Sequence, residues 1–573
     1  MFINKYFVGI NKKDIVLNVT IAFVLFCIMF LSFKGFVEVN ILPKWYAFVA
    51  GGIFYFLITL FVIKEIIISL DKIVIITIIF IYYLLIHMCL ISLEQNRIYV
   101  LSVIVFILFY LSFKQLPIGS HQSINFIILC VCFIQACFGL IQCMEVFHIY
   151  GSFNLVGSFD NPAGFSACLS TGIPFCLSVV SKKGEKHYIE IFLLTIIVIS
   201  MILSGSRTGV IAVFTIFVVY FKDECCSILV NRKKLILPLF LILFIIIMGL
   251  LILKIDSVIG RFFIWKNSCI MILDKPIFGY GTGGFMSNYM LYQADYFQKN
   301  SNTLYSMLAD NVIHPFNEYL FLTIEYGIIG LILVILILLV IIKSSRRITI
   351  SHLCLLSVGI FACFSYPLRY PFVLVLLAYS LANIKTKEVF SISINVLGKV
   401  VSIMLIGIIS VVLVNDIRFE RLWGNLVQKN KFRNKELLLN SYEKLYFEWN
   451  GDPAFLYNYG AILNRVESYE ISNIILNKCT HYWNDYDVQL LLADCYLQKE
   501  KFEKAEECFV LASNMCPNRF IPLYQLVHLY DRIGQKEKAY NLAEKIIHKK
   551  VKISSFKVQR IKNEMIEYVQ KGL

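Results

Sequence analysis

The sequence predicts an all-α protein in two parts: a polytopic membrane helix bundle over residues 1–414 and a soluble helical-repeat solenoid over 415–573. Three observations predict it. Apolar runs of roughly 15–25 residues recur as far as Val414, each long enough, or nearly so, for a bilayer core of ~30 Å at ~1.5 Å per helical residue. The mean hydropathy of the 573-residue chain is +0.74, with only 16% charged residues, too few to cover the surface of a soluble protein this size. Beyond Asn415 the charge rises, both signs mix, and a repeat begins.

About thirteen transmembrane helices are expected, at approximately 15–33, 45–63, 73–93, 98–113, 124–147, 160–180, 188–203, 208–221, 235–255, 318–342, 350–366, 371–384 and 396–414. The runs at 98–113, 188–203, 208–221 and 371–384 are short, as tilted or shielded helices of a large bundle often are. The first run follows Lys12 and Lys13 and reads as a retained span. More spans follow at once and no small-residue cleavage site intervenes. With the N-terminus and every second loop cytoplasmic, nineteen Lys and Arg, from Lys5 to Lys399, fall inside. The short outer loops hold five: Lys34, Lys44, Arg97, Arg207 and Arg369. This positive-inside bias accounts for most of the net charge of +15 and places the C-terminal part outside. No basic patch interleaved with aromatics points to nucleic acid.

The 17 cysteines lie mostly inside spans, as small apolar residues. No C-x-x-C pair and no Cys/His spacing reads as a zinc site. Cys479, Cys495, Cys508 and Cys516 sit at helical core spacing and read as packed thiols. In the tail, Ala493, Tyr496, Ala505, Phe509, Ala512 and Pro517 match tetratricopeptide spacing. Leu526, Tyr530, Gly534 and Ala539 repeat it 34 residues later, and a degenerate copy precedes them around Pro453, Tyr459, Gly460 and Leu463. A 34-residue period means stacked helix pairs with small residues where helices cross. Such repeats either brace the membrane domain or hold a protein partner.

Charged and polar residues at the outer face are the candidates for chemistry, because charge near the bilayer is costly. Ser204-Gly205-Ser206-Arg207-Thr208-Gly209 places Arg207 between two apolar helices. It is either a snorkelling topological arginine or an anion clamp, since a guanidinium fork matches phosphate oxygens. The longest outer loop, about 256–317, carries Arg261 and Trp265, with Phe262, Trp265 and Cys269 on one face of a short helix, then Gly279-Tyr-Gly-Thr-Gly-Gly-Phe285. Those glycines are read as turn formers rather than a nucleotide fingerprint. The loop closes on His314-Pro315-Phe316-Asn317-Glu318-Tyr319. A histidine here suits removal of a proton from a hydroxyl near neutral pH. Gly157-Ser158-Phe159-Asp160-Asn161-Pro162-Ala163-Gly164 leads into another span, where Asp160 and Asn161 either cap the helix or touch sugar or lipid.

Asp160-Asn161-Pro162, Ser206-Arg207-Thr208-Gly209, Arg261 with Trp265, Pro276 and Gly279-Tyr-Gly, and His314 with Asn317-Glu318-Tyr319 and Glu325-Tyr-Gly occur in an order that resembles the O-antigen ligase superfamily. That superfamily covers lipopolysaccharide ligases, O-antigen polymerases and protein O-oligosaccharyltransferases, and the resemblance spans roughly residues 15–414. It implies a GT-C-like fold and a metal-independent glycosyltransferase without cofactor in the bacterial inner membrane, with the C-terminal domain in the periplasm. A glycan would move from undecaprenyl diphosphate to an acceptor hydroxyl on the periplasmic face. By the same resemblance His314 is the catalytic candidate, Arg207 and Arg261 hold the diphosphate, and Arg369, Asn161, Asn317 and Glu318 complete the substrate site. The chain departs from the family's His-x-His-Asn pattern at Phe316, which stands where the second histidine would be.

Three acceptors are compatible: lipid A-core, another lipid-linked repeat, or a protein Ser or Thr. The repeat tail tilts the expectation toward protein. A flippase or transporter, or a membrane scaffold, is the alternative of another class. The near-absence of charge in mid-span speaks against transport.

Overall fold

The computed structural model describes residues 11–90, 97–117, 119–144, 155–180, 188–222, 255–300, 303–344, 347–428 and 435–571. Twelve apolar helices stand at expected spans. In chain order the first eight are α1 (Lys12–Phe30), α2 (Leu42–Val62), α3 (Lys72–Leu90), α4 (Arg97–Lys114), α5 (Ser120–Cys143), α6 (Pro162–Val180), α7 (Tyr188–Leu203) and α8 (Arg207–Tyr220). The long loop before the next apolar helix folds into α9 (Ile255–Asp274), α10 (Gly284–Lys299) and the single turn α11 (Tyr305–Leu308). Then come α12 (Glu318–Ser344), α13 (Ile350–Phe364), α14 (Pro371–Asn383) and α15 (Val396–Gln428). Eight of these helices are long and apolar enough to cross a membrane, whereas α7, α8, α13 and α14 are shorter. The expected span at 235–255 lies, save its last residue, outside the described residues.

Helix α6 is the axis of the bundle, packing on α5, α7, α8 and α13. Its small residues permit this. Ser166, Ser170, Thr171 and Gly172 are fully buried or nearly so, and a Cβ at Gly172 would stand 2.5 Å from Cys132 Sγ. Small residues let helix backbones approach closely where lipid supplies no hydrophobic drive. Among the described residues the one departure from an all-helical pattern is a two-stranded antiparallel ribbon. It pairs β1 (Ile66–Asp71) with β2 (Glu388–Ile394) between spans, with Ile66 opposite Ile394.

In α9 the buried residues are Phe263, Ile264, Asn267, Ser268 and Met271. The Phe262 and Cys269 side of the helix is exposed. The glycine loop that follows is clasped by a break in α12. Gly327 has φ +65°, and a Cβ there would lie 1.9 Å from Ile277 O. The break lets Tyr280 N and Gly281 N donate to Ile324 O and Glu325 O at 2.8 and 3.0 Å, while Glu325 Oε1 accepts from Gly283 N at 2.9 Å. Gly279, Gly281 and Gly283 also have positive φ, the turn-forming use expected of them. From α3, His87 Nε2 lies 2.6 Å from Phe278 O, and Tyr83 donates to Tyr326 O at 2.6 Å.

Helix α15 runs through Val414 without interruption into the tail. Eight further helices follow: α16 (Lys435–Glu448), α17 (Pro453–Arg465), α18 (Tyr469–Thr480), α19 (Tyr486–Gln498), α20 (Phe502–Met515), α21 (Ile521–Arg532), α22 (Lys536–His548) and α23 (Phe556–Lys571). From α17 onward each helix packs on the next. Ala493, Ala505, Ala512 and Ala539, read as crossing-point residues, are fully buried. Cys479, Cys495 and Cys516 are buried free thiols.

The tail is clamped to the long loop that carries α9 and α10. Gln293 Nε2 donates to Met515 O at 2.6 Å, Asn484 N to Met286 O at 3.3 Å, and Arg519 forks onto Asp310 Oδ1 at 3.1 and 2.6 Å. Tyr486, Ala512 and Met515 share one apolar core with Ile264, Phe285 and Tyr289.

Candidate active site

Two helix starts meet first. Asn161 Oδ1 accepts from Gly164 N at 2.8 Å and caps α6, with Pro162 as its first residue. Ser206 Oγ accepts from Gly209 N at 3.3 Å and caps α8. Ser166 Oγ donates to Ser206 Oγ at 2.6 Å and pins the two N-termini together. The capping role read for Asn161 is thus present. The same Oδ1 also accepts from the Tyr370 hydroxyl at 3.1 Å.

The paired N-termini open on a hollow of about 180 Å³ lined by Pro162, Ala163, Ser206, Arg207, Ser257 and Arg261 among others. Arg207 Nη2 donates to Ser257 Oγ at 3.2 Å, one helical turn before Arg261 on α9. No carboxylate is among its described lining residues. Burial and then the charge of Arg207 push the Arg261 pKa below its ordinary value, so an anion between the guanidiniums relieves both. Two helix N-termini reinforce that preference.

Arg261 also lies over the Phe316 ring at 5.3 Å, and that ring stands 5.7 Å from Tyr366. Phe316 is held at φ +53°, a left-handed conformation rare for a bulky residue. Beside it His314 is 7% exposed, with its ring 5.3 Å from both Phe321 and Tyr366, and its Nε2 has no hydrogen-bond partner. Burial, reinforced by the charge of Arg369, pushes its pKa well below the usual histidine value. The imidazole is therefore neutral at pH 7, with an uncommitted nitrogen. Trp265 Nε1 donates to Pro315 O at 2.9 Å and fixes the turn between them.

The remaining candidates divide. Asn317 uses both ends of its amide on backbone, accepting from Leu320 N at 3.0 Å and donating to Cys363 O at 3.1 Å. Glu318 Oε1 accepts from Leu368 N at 3.1 Å, tying down the turn that carries Arg369. Arg369 does not line the small hollow. It faces a second, larger one of about 470 Å³ together with Asp160, Asn161 and Tyr366. Burial opposes its charge, but Tyr99, Glu38 and Tyr366 hold its pKa above the ordinary arginine value. Ser257 and Tyr366 were missed in the sequence. The four-residue spacing of Ser257 to Arg261 was a readable signal, whereas nothing local marks Tyr366.

A family model described as O-antigen ligase matches residues 192–335. That segment contains Arg207, Arg261, His314, Asn317 and Glu318, together with the glycine loop and its clasp. Over that segment the chain is similar to the O-antigen ligase family. The similarity fits a multi-pass membrane protein, with eight helices among the described residues long and apolar enough to cross a bilayer. No curated protein matches the chain. Asn161 and Arg369 lie outside the matched segment, yet the fold brings their loops to its edge.

Proposed function

We propose that this protein transfers a glycan from undecaprenyl diphosphate to an acceptor hydroxyl at the periplasmic face, without a metal. The observation that supports it is the small hollow in which Arg207, Arg261 and two capped helix N-termini converge. The acceptor oxygen bonds the anomeric carbon as the bond to the diphosphate breaks, and the electron pair goes to the diphosphate oxygen. Fixed positive charge offsets that developing charge. The hydroxyl proton passes to His314 Nε2, which is neutral and unengaged. Asn317 and Glu318 serve by holding the turns that carry His314 and Arg369.

In this reading the N-terminus is cytoplasmic, some thirteen spans cross the membrane, and residues 415–573 form tetratricopeptide-like repeats in the periplasm. A cysteine placed near Ser513, in a background without the native tail cysteines, would react with an impermeant thiol reagent in cells with a permeable outer membrane. Labelling only after inner-membrane lysis would reverse that topology.

A glycan-stained gel of envelopes from wild type and a deletion strain, with and without protease, identifies the acceptor. Loss of protease-resistant ladders to bare core means lipid A-core, and collapse to one repeat on core means a polymerase. Loss of protease-sensitive bands alone means a protein acceptor. No change in any lane defeats the proposal in favour of a transporter or scaffold.

A further inference from the structure

The second hollow, about 470 Å³, lies across the 160–163 turn from the arginine pair and has the opposite chemistry. Its volume falls within the ~300–1,000 Å³ of small-molecule sites. One wall comes from the membrane helices, with Trp45 and Tyr46 of α2 and Tyr99 of α4. The roof comes from the repeat tail, with Trp483 and the 448–454 turn. Carboxyl groups ring it: Glu38, Asp160, Asp416, Glu420, Glu448 and Asp452, against only Arg97 and Arg369 as cations among the described lining residues.

Two of these acids are buried with one oxygen that no donor satisfies. Asp416 and Glu420 sit one turn apart on α15, only 2% and 7% exposed, and Asp416 Oδ1 and Glu420 Oε2 have no hydrogen-bond partner. Arg97 Nη1 stands 3.9 Å from Asp416 Oδ1, a long ion pair. Burial and then the neighbouring acids push the Glu420 pKa up to about 9, and burial pushes that of Asp416 up to about 6. A buried carboxyl oxygen without a partner is costly, so its place in a cavity points to hydrogen-bonding groups arriving with a ligand. Among the described residues no group of three His, Cys, Asp or Glu is close enough to hold a metal ion. Sugars supply what remains, with hydroxyls that donate to carboxylates and an apolar C–H face that lies on aromatic rings.

We propose that this acid- and tryptophan-lined cavity between the membrane bundle and the repeat tail binds the saccharide moiety of a substrate. It selects neutral or amino sugars and rejects acidic ones. The inference deepens the glycan-transfer reading and rests on it for why a sugar should sit beside a diphosphate. It gives the tail a direct part in the site, since Trp483 closes the cavity from above. The saccharide belongs either to the lipid-linked donor or to the acceptor, and the chemistry of recognition is the same for both.

The test uses the full chain purified in detergent. N-acetylglucosamine, glucosamine, glucuronic acid and inorganic diphosphate serve as probes, with saturation-transfer NMR and tryptophan fluorescence as readouts. Binding of the first two sugars, weakened at least tenfold in Trp483→Ala and in the isosteric Glu420→Gln with diphosphate binding retained, supports the cavity. Retained diphosphate binding and an unchanged melting curve show that the variants are folded. Equal sugar binding by both variants and wild type, no binding by wild type, or glucuronic acid bound as tightly as N-acetylglucosamine overturns it. A polyprenyl diphosphate with and without one N-acetylglucosamine then names the source. If Trp483→Ala weakens only the sugar-bearing lipid, the saccharide is the donor's. If neither lipid is affected while free sugar is, it is the acceptor's. A chain that shows this sugar dependence but no transfer keeps the cavity and loses the transferase reading.

Discussion

The hollow around Arg207 and Arg261 and the hollow around Glu420 and Trp483 share the turn at 160–163, where Asp160 and Asn161 face one and Pro162 and Ala163 the other. The first is small, with cationic side chains and positive helix ends. The second is larger and acidic, with tryptophans from both halves of the molecule. A lipid-linked glycan has the same division, an anionic diphosphate joined to a hydroxyl-rich, largely neutral sugar. The contrast teaches that charge of one sign, spread over the whole site, would bind one part of such a substrate and repel or ignore the other. Placing His314 beside Tyr366, which lines the larger hollow, and Phe316 over Arg261, which lines the smaller, sets the neutral imidazole near the boundary between the two.

The sharpest way to break this comparison is to treat the arginines alike. Arg207→Ala or Arg261→Ala is expected to lower glycan transfer by about 10²–10³-fold, or ~3–4 kcal/mol of transition-state stabilisation, at normal expression. Arg369→Ala should instead weaken saccharide binding and leave inorganic diphosphate affinity intact. Should Arg369→Ala lose diphosphate as Arg207→Ala does, the two hollows are one site.

Next in size is the histidine at the boundary. His314→Ala is expected to cost about 10²-fold in turnover, read in the same transfer assay. Phe316→His restores the family's second histidine, and a rise in turnover in the His314→Ala background would show which position carries the base. The pH profile sharpens this further. Because the folded pKa of His314 is depressed, the unfolded chain binds the extra proton first. Stability is then full above the ordinary histidine pKa of ~6.5 and declines as pH falls below it. The acid limb of transfer should accordingly lie below the usual histidine range, and a limb near 6.5 that vanishes in His314→Ala would contradict the burial argument.

Smaller effects come from the supports of the larger hollow. Gly327→Ala demands φ +65° of a residue with a Cβ and drives that atom into Ile277 O. A loss of about 1–3 kcal/mol, seen as a lower melting temperature in detergent, is expected. Since the clasped loop carries α10, whose Met286 lines the hollow, saccharide affinity should fall with it. Arg519→Ala removes the fork onto Asp310, but both side chains are partly exposed, 34% and 45%. Solvent screening discounts the pair to about 1 kcal/mol or less, and the expected result is faster hydrogen exchange at the 310–311 contact with transfer little changed. Transfer falling as far as in Arg207→Ala would mean that the roof governs the diphosphate hollow as well.

How much of this was legible varied with the range of the interaction. Asn161 as a cap, the turn at Ser206 and the glycines at 279–284 follow from neighbours within a few residues. The acidic hollow was readable only in part. Asp416, Glu420 and Trp423 follow one another at intervals of one helical turn after Val414, a pattern on one face of a helix, but their partners come from α2, α4 and the tail. The ribbon of Ile66–Asp71 with Glu388–Ile394 left no local trace, since its hydrogen bonds join residues more than 300 positions apart.

By itself the sequence determined the helical membrane bundle, the repeat period of the tail and the ligase-like order of motifs. Hydropathy, periodicity and capping act over one or two turns of chain. Only the tertiary structure decided that Arg207 and Arg261 share a hollow from which Arg369 is excluded, that Asn317 and Glu318 bind backbone, and that Trp483 closes a cavity over α2 and α15. Cavities and buried charges are made by elements distant in the chain, and their energetics depend on which surfaces meet when those elements pack.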